Sequence, residues 1–399
     1  MKFDAINTAF VETDELISKH ISDDLLHPSI FQIMPRRMYF GPARATSIDL
    51  CVRDLIRASQ FANTTRVVAE AVDHPFEDCA ISYFPTKRRS NTVGRANFVA
   101  RLVDELQPDV VVVQAHLPTA SAIARRCPQT QVVLHSHTFQ KASYNRMSIS
   151  GQLHRAFKRE RYRRLAGLIH VSEACARDFV AAWPDVKIPQ AVIYNAFDFS
   201  EWRPLQVRTQ EILCVGRCID TKGILEAAQA VTQVLPSHPG WRARFILSTV
   251  LVEPQYFASV RAALAPLGDR VQIEVQQPFS VVKAACERAA IALVPSKWSE
   301  PFGRTALEAH AGAAALISSG TGGLREASGE HALYLSDVTA GAIAQSIDML
   351  IGSAEMRTKL AQGGAAWARQ RLSVQLQAEN LDKFLATMWQ QAQPSGGRS

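Results

Sequence analysis

Residues 291–327 read IALVPSKWSEPFGRTALEAHAGAAALISSGTGGLREA. Two short apolar runs in this stretch, IALVPS and AALISS, predict buried strands. The segment between them suits a crossover helix, and a glycine-rich turn into a second helix follows the second run. The stretch therefore predicts a parallel strand, helix and strand unit of a doubly wound α/β domain.

Apolar runs of the same kind recur along the 399-residue chain. Further buried strands are predicted at 31–34, 66–72, 109–115, 131–136, 167–172 and 191–195, and then at 211–216, 242–249 and 270–275. Between the runs, apolar residues at helical spacing, such as Phe98, Leu102 and Leu106, predict crossover helices.

A polar stretch over 197–210 divides the strands into two groups. The length also favours two domains, because single cores stop growing at roughly 250 to 300 residues. We predict one Rossmann-like domain over 1–198 and a second over 199–372, with a cleft between the carboxyl ends of the two sheets. A helix over 373–391 is predicted to pack back on the first domain, and 392–399 is predicted to be a disordered tail.

Composition excludes several classes of protein. The chain is 47% hydrophobic and 20% charged, and no run of about 18 apolar residues is present that could span a membrane. The first 20 residues contain no apolar core of a secretory signal, so a cytoplasmic location is expected. The seven cysteines are scattered without C-x-x-C spacing, which predicts free thiols and no metal site.

The net charge of +7 lies mainly in the first half, where residues 1–195 hold 25 Lys and Arg against 19 Asp and Glu. Such charge suits nucleic acid, anionic lipid or a phosphorylated substrate. In the predicted helix 151–167, four cations share one face and Leu153 and Phe157 lie opposite. The four are Arg155, Lys158, Arg159 and Arg163. They predict contact with an anionic membrane surface or an anionic acceptor, and an ordinary solvated face remains the alternative.

Two segments of the second half carry charged residues at strand ends. Glu300 and Glu308 are eight positions apart around the start of a predicted helix, where carboxylates and free N–H groups can bind hydroxyls and anions. In ILCVGRCIDTKGILEAAQA, 212–230, Arg217 and Lys222 can neutralise a diphosphate. The turn at Ser319–Gly323 has the glycines that a close approach to a pyrophosphate requires.

These segments closely resemble the donor site of glycosyltransferase family 4, the retaining group 1 enzymes of GT-B fold that use nucleotide sugars. The resemblance implies that Glu300 contacts sugar hydroxyls and Glu308 the ribose hydroxyls. It implies catalytic roles for Arg217 and Lys222 as well. The other donor-binding residues that it implies are Gly216, Phe302, Gly303, Arg304, Thr321, Gly322 and Gly323.

The first half resembles the family more loosely. Gly41 takes the place of the family's glycine pair, although Pro42 follows it here, and it is expected to contact the donor phosphate. The strand VVLHSHTF resembles the family segment whose histidine lies beside the reacting carbon, which implies this role for His137, with His135 as the alternative. Asn195 and Asp198 are interpreted as residues that shape a turn.

The resemblance implies a retaining hexosyltransferase that needs no cofactor and no metal, since the chain has no Asp-x-Asp. The expected donor is a UDP or GDP sugar, and the expected acceptor is a saccharide or a lipid-linked sugar of bacterial polysaccharide or envelope synthesis. One alternative is a nucleotide-sugar epimerase on the same fold. Another is a nucleic-acid-binding protein, against which the lack of an aromatic and basic stacking motif counts.

Overall fold

Two parallel sheets organise the chain. This computed structural model describes residues 27–42, 45–85, 91–140 and 148–392. The predicted tail lies outside these residues except for Ala392, which ends the last helix. The first 20 residues, on which the expected location depends, also lie outside them.

The first sheet contains seven strands in the described residues, in the spatial order β3-β2-β1-β4-β5-β6-β7. The strands are β1 (Ile30–Ile33), β2 (Thr65–Ala69), β3 (Ala80–Tyr83), β4 (Val110–Gln114), β5 (Gln131–Ser136), β6 (Gly167–His170) and β7 (Gln190–Val192). The helices between them are α1 (Ser47–Ala58), α2 (Thr92–Leu106), α3 (Leu117–Arg126), α4 (Ile149–Arg163) and α5 (Glu173–Ala182).

The second sheet has six strands in the described chain, in the order β10-β9-β8-β11-β12-β13. They are β8 (Thr209–Arg217), β9 (Arg242–Ser248), β10 (Val271–Val275), β11 (Ala289–Val294), β12 (Ala315–Ser318) and β13 (Ala332–Tyr334). The helices are α6 (Ile224–Val234), α7 (Pro254–Leu264), α8 (Phe279–Cys286), α9 (Arg304–Ala311), α10 (Leu324–Ser328), α11 (Ala340–Gly352), α12 (Ala354–Arg371) and α13 (Val374–Ala392).

Continuous apolar runs form the centre of both sheets. All residues of β1, β4, β11 and β12 are buried, as expected for parallel strands covered by helices on both faces. Every strand pair described is parallel, which requires a crossover between strands. The fold is therefore a pair of doubly wound α/β domains, as the sequence predicts.

The last helix, α13, belongs spatially to the first sheet. Its Leu381, Leu385 and Met388 share one apolar cluster with Ile30 and Val112 from the first sheet. Asp382 accepts hydrogen bonds from the Ser59 hydroxyl, at 2.6 Å, and from the Gln60 amide, at 2.9 Å. The chain therefore crosses between the two sheets twice, and the two crossings meet where Phe197 forms a parallel bridge with Ser373.

Two features of the fold differ from the sequence-based prediction. The strands β3 and β13 are not predicted from the sequence. Both are short strands at sheet edges, and residues of β3 are exposed or half-buried. In α2 the buried residues are Arg95, Ala96, Val99 and Val103, whereas Leu106 is exposed. Of the residues that predicted this helix, Phe98 and Leu102 pack half-buried against the core, and the buried apolar contacts come from Ala96, Val99 and Val103.

His310 of α9 should make the protein sensitive to acid. The side chain is fully buried, neither ring nitrogen has a partner in the described chain, and burial lowers its pKa to about 3. Between pH 6.5 and 3 the unfolded state therefore binds more protons than the folded state, and the free energy of unfolding falls as the pH falls. We expect this residue alone to remove about 2 kcal/mol between pH 6.5 and 5.

Urea unfolding at pH 7 and pH 5 measures this contribution. The stability lost between the two pH values should be smaller in His310→Leu than in the wild type, and unchanged in His74→Leu, whose side chain is exposed. An equal loss in all three proteins would show that His310 does not titrate in this way.

No helix of the described ranges is long and apolar enough to cross a membrane.

Candidate active site

A group of charged residues lies in a cleft that both domains line. In the first sheet the order of strands reverses between β1 and β4, and in the second between β8 and β11. Loops that follow β1, β8 and β11 diverge at these points, and open α/β sheets bind ligands there. Together the loops line an open cleft of about 690 Å³.

The cleft brings together nine of the residues predicted from the sequence. They are His137, Gly216, Arg217, Lys222, Glu300, Phe302, Gly303, Arg304 and Glu308. Gly41, Thr321, Gly322 and Gly323 are not among its lining residues.

Glu300 and Lys222 form a buried ion pair on the second domain. The Glu300 carboxylate accepts from the Lys222 ammonium and the Ser296 hydroxyl, both through Oε1. Within the described chain no partner contacts Oε2, so this oxygen can accept from a ligand hydroxyl. Lys222 also lies over the ring of Trp298, 5.5 Å from its centroid. Arg217 is exposed at the end of β8, and its guanidinium has no partner among the described residues.

Glu308 and Arg304 form a second pair, one turn apart on α9. Arg304 Nε donates to Glu308 Oε1 at 3.2 Å, and Arg304 Nη1 donates to Cys51 Sγ of α1 at 2.9 Å. The guanidinium also lies 4.4 Å from the centroid of Phe197. Burial raises the pKa of Glu308, and Arg304 opposes this rise. Arg304 therefore holds Glu308 in place and ties α9 to the first domain.

The glycine-rich turn supports the Glu300 loop from behind. The Gly323 amide donates to the Glu300 carbonyl at 2.8 Å, and the Thr321 hydroxyl donates to the Trp298 carbonyl at 2.7 Å. A Cβ on Gly322, whose φ is 59°, would lie 2.2 Å from the Glu300 carbonyl oxygen. These close contacts account for the glycines, and the predicted pyrophosphate contact of Thr321, Gly322 and Gly323 stays a prediction.

His137 faces the cleft from the first domain as a neutral imidazole. Its Nε2 lies 2.7 Å from Gln114 Oε1, and the Gln114 amide nitrogen donates to Gln32 Oε1 at 2.8 Å, so Nε2 of His137 carries the proton. Burial lowers the pKa of His137 to about 4. His135 stacks on it with ring centroids 4.4 Å apart, but is buried and does not line the cleft.

Gly41 is used for packing against the neighbouring loop. A Cβ at this position would lie 2.2 Å from the His74 carbonyl oxygen, and the Gly41 amide donates to Tyr39 at 2.8 Å. The predicted phosphate contact of Gly41 stays a prediction. The first domain lines the cleft at the start of α1, with Thr46 and Ser47. Sequence reasoning missed both residues, although Thr46 and Asp49 form a capping box whose spacing is visible in the sequence.

The basic face of α4 packs partly against its own domain. Arg155 lies 4.9 Å and Lys158 5.4 Å from the ring centroid of Trp183. Arg159 and Arg163 both pair with Asp185, at 2.8 and 3.6 Å. The opposite side of the helix exposes Leu153 and Phe157.

The two domains also touch on one side of the cleft. Glu326 of α10 accepts from the backbone amides of Glu173 and Ala174, both at 2.7 Å, at the start of α5. Negative charge is favourable there because the helix dipole presents its positive end. The Cys175 thiol reaches the Pro301 carbonyl of the Glu300 loop at 3.5 Å.

No group of three or more His, Cys, Asp or Glu side chains that could hold a metal ion occurs in the described part of the chain. All seven cysteines are free thiols.

Solved structures with the same architecture are GT-B glycosyltransferases. HepE from Anabaena in complex with UDP has a TM-score of 0.72 and 18% identity, over 90% of this chain and 100% of that chain. Sucrose-phosphate synthase from Thermosynechococcus elongatus has a TM-score of 0.74 and 16% identity, over 91% and 100%. Trehalose-6-phosphate synthase, studied for glycosyl transfer with retention, has a TM-score of 0.67 and 14% identity, over 90% and 99%.

Family models match both halves of the chain. The model of glycosyl transferases group 1 matches residues 200–367, and that of glycosyltransferase family 4 matches residues 51–201. A search of curated proteins finds no match. With 51–367 covered by the two models, the chain belongs to the group 1, family 4 glycosyltransferases of GT-B fold.

Proposed function

We propose that the protein is a retaining glycosyltransferase that moves a hexose-type sugar from a UDP or GDP sugar to a saccharide or lipid-linked acceptor in bacterial polysaccharide or cell-envelope synthesis. The observation that carries the proposal is the meeting of Glu300, Lys222 and Arg217 in one cleft between the domains. HepE, which shares the fold, has been solved with UDP and with UDP-glucose, and this supports a nucleotide-sugar donor.

The charges in the cleft suit departure of a nucleoside diphosphate. Negative charge grows on the leaving phosphate as the glycosidic bond breaks, and Arg217 and Lys222 are placed to stabilise it. Glu300 Oε2 accepts from a sugar hydroxyl, and Glu308 accepts from the ribose hydroxyls. His137 stays neutral at pH 7, so it contributes a hydrogen bond and not a charge. The acceptor hydroxyl attacks the face that the phosphate leaves and gives its proton to that phosphate, so the anomeric configuration is retained without a protein nucleophile.

A donor screen tests the proposal. We expect UDP or GDP and the matching sugar nucleotide to raise the melting temperature, since a ligand at 100 times its dissociation constant stabilises by about 2.7 kcal/mol.

Incubation with donor alone tests the epimerase alternative, because an epimerase yields a new nucleotide sugar without an acceptor. Proton NMR of the transfer product should show retention, and an inverted product would overturn this part of the proposal.

Transfer is predicted to proceed without a divalent metal, because Arg217 and Lys222 supply the positive charge and the sequence has no Asp-x-Asp. EDTA should leave the rate unchanged, and added Mg²⁺ or Mn²⁺ should not increase it. Loss of activity in EDTA with recovery on Mn²⁺ would contradict this prediction.

Peripheral contact with an anionic membrane through Arg155, Lys158, Arg159 and Arg163 remains part of the proposal. The pairing of Arg159 and Arg163 with Asp185 reduces the charge that this face offers to lipid. Vesicle co-sedimentation at low and high salt tests it, because binding through surface charge weakens as salt screens it.

A further inference from the structure

A groove adjoins the cleft at the carboxyl end of the first sheet. It consists of a cavity of about 650 Å³ and a smaller one of about 220 Å³, which share Ala115 and His116. The larger cavity meets the cleft at Thr138, which lines both. We call the two cavities together the basic groove. A molecule that fills it can therefore reach the site of transfer.

The charge of the basic groove is of one sign. Its lining includes Arg36, Arg95, His116, His154, Lys158 and Arg161, and no Asp or Glu occurs among the described residues that line it. Arg95 is already paired with Glu70 at 3.2 Å. The guanidinium groups of Arg36 and Arg161 have no partner in the described chain, and both residues are exposed.

His116 marks the point at which these charges converge. Burial lowers the pKa of His116, and Arg95, Arg161 and Arg36 lower it further. Three guanidinium groups from three different elements thus lie close enough to act on one imidazole. Arg36 and Arg161, which have no partner in the described chain, bring positive charge that an anion would neutralise, and one guanidinium can bind two oxygens of a phosphate.

The backbone beside His116 is held in a left-handed conformation. Ala115 has φ 61°, and its amide donates to the His135 carbonyl at 2.8 Å. A residue other than glycine adopts this conformation at a cost, which other contacts must offset, and such residues cluster at functional sites. Here the conformation places His116 at the junction of the two cavities.

We propose that the acceptor is anionic and that the basic groove binds its phosphate or diphosphate group between Arg36, His116 and Arg161. The sugar hydroxyl that receives the hexose then points past Thr138 into the cleft. This inference rests on the proposed function, because it names the acceptor class of the same site. A free sugar phosphate and a lipid-linked diphosphate share the chemistry that the groove recognises.

Binding of inorganic phosphate, followed by phosphorus NMR, tests the groove directly. Two charge-assisted contacts are removed in Arg36→Ala/Arg161→Ala, so the dissociation constant should rise roughly 10-fold or more. Arg125→Ala is the matched control, because Arg125 is exposed on α3 and outside the groove. Lys222→Ala should leave phosphate binding in the groove intact. An unchanged constant in the double variant, or loss only in Lys222→Ala, would overturn the inference.

UDP binding, measured on the same proteins, separates this inference from the proposed function. The double variant should bind UDP as the wild type does. If neither the wild type nor any variant binds a nucleotide, the proposed function is wrong. If the double variant binds both UDP and phosphate as the wild type does, only the inference about the basic groove is wrong.

Transfer assays identify the source of the phosphate. Glucose and glucose 6-phosphate serve as free probes, and polyprenyl diphosphate-linked glucose in phosphatidylcholine vesicles serves as the lipid probe. Preference for either phosphorylated probe, lost in the double variant and kept in Arg125→Ala, supports the inference. Equal rates with neutral and phosphorylated sugars contradict it.

Discussion

Replacement of Lys222 by alanine should slow transfer roughly 100 to 1000-fold, the loss expected when a charge that stabilises a developing anion is removed. In the proposed mechanism the ammonium stabilises the leaving phosphate, and it also pairs with the buried Glu300 carboxylate. Steady-state kinetics with a nucleotide sugar measure the loss. Lys222→Arg keeps the charge and should recover part of the rate.

The control for this prediction is Lys297→Ala. Lys297 pairs with Asp220 at 2.7 Å and Glu226 at 2.6 Å, and it does not line the cleft. Its removal should leave the rate within a few fold of the wild type. Circular dichroism should show that Lys222→Ala remains folded. Near-normal turnover in folded Lys222→Ala would refute the assignment of this lysine to the donor site.

Glu308→Gln should weaken donor binding by roughly 10 to 100-fold, because hydrogen bonds to a charged group contribute about 1.5 to 3 kcal/mol. The change keeps the size of the side chain and removes the charge that Arg304 neutralises. Calorimetry with UDP, together with KM for the sugar nucleotide, measures the effect.

Glu274→Gln is the matched control for Glu308. Glu274 also pairs with an arginine, Arg244 at 2.8 Å, but it lies on β10 and outside the cleft. A lower melting temperature in Glu308→Gln with unchanged UDP affinity would assign Glu308 only the structural task of holding Arg304.

The fold could be predicted because both sheets bury their central strands on two faces. Strands such as β4, with its four consecutive valines, then appear as unbroken apolar runs in the sequence. Edge strands are harder to recognise, because solvent reaches them. The edge strands β7 and β10 were predicted from their apolar residues, whereas the short edge strands β3 and β13 were missed. The helix α2 was predicted, but the spacing of Phe98, Leu102 and Leu106 does not mark the side that is most deeply buried, which carries Ala96, Val99 and Val103.

The site could be predicted less completely. Charged residues that follow strands β8 and β11 reach the cleft because parallel strands end at one edge of the sheet. Glycines are harder to interpret, because the close approach of a ligand and the close approach of a second loop each leave no room for a Cβ. A Cβ on Gly41 or on Gly322 would lie 2.2 Å from a carbonyl oxygen of another segment. Local sequence does not encode such a long-range contact.

The chain crosses between the two domains twice, near Phe197 and near Ser373, and this connectivity sets the order in which the protein can fold during synthesis. The first domain is translated before the second, yet the helix α13, which packs on the first sheet, is translated only after the second domain. Until then, apolar residues such as Ile30 and Val112 lack the partners Leu381 and Leu385. The second domain, by contrast, has its whole sheet translated before α13 begins. The nascent first domain therefore stays incomplete until α13 has been translated, and its uncovered sheet face is until then a surface for chaperones to protect.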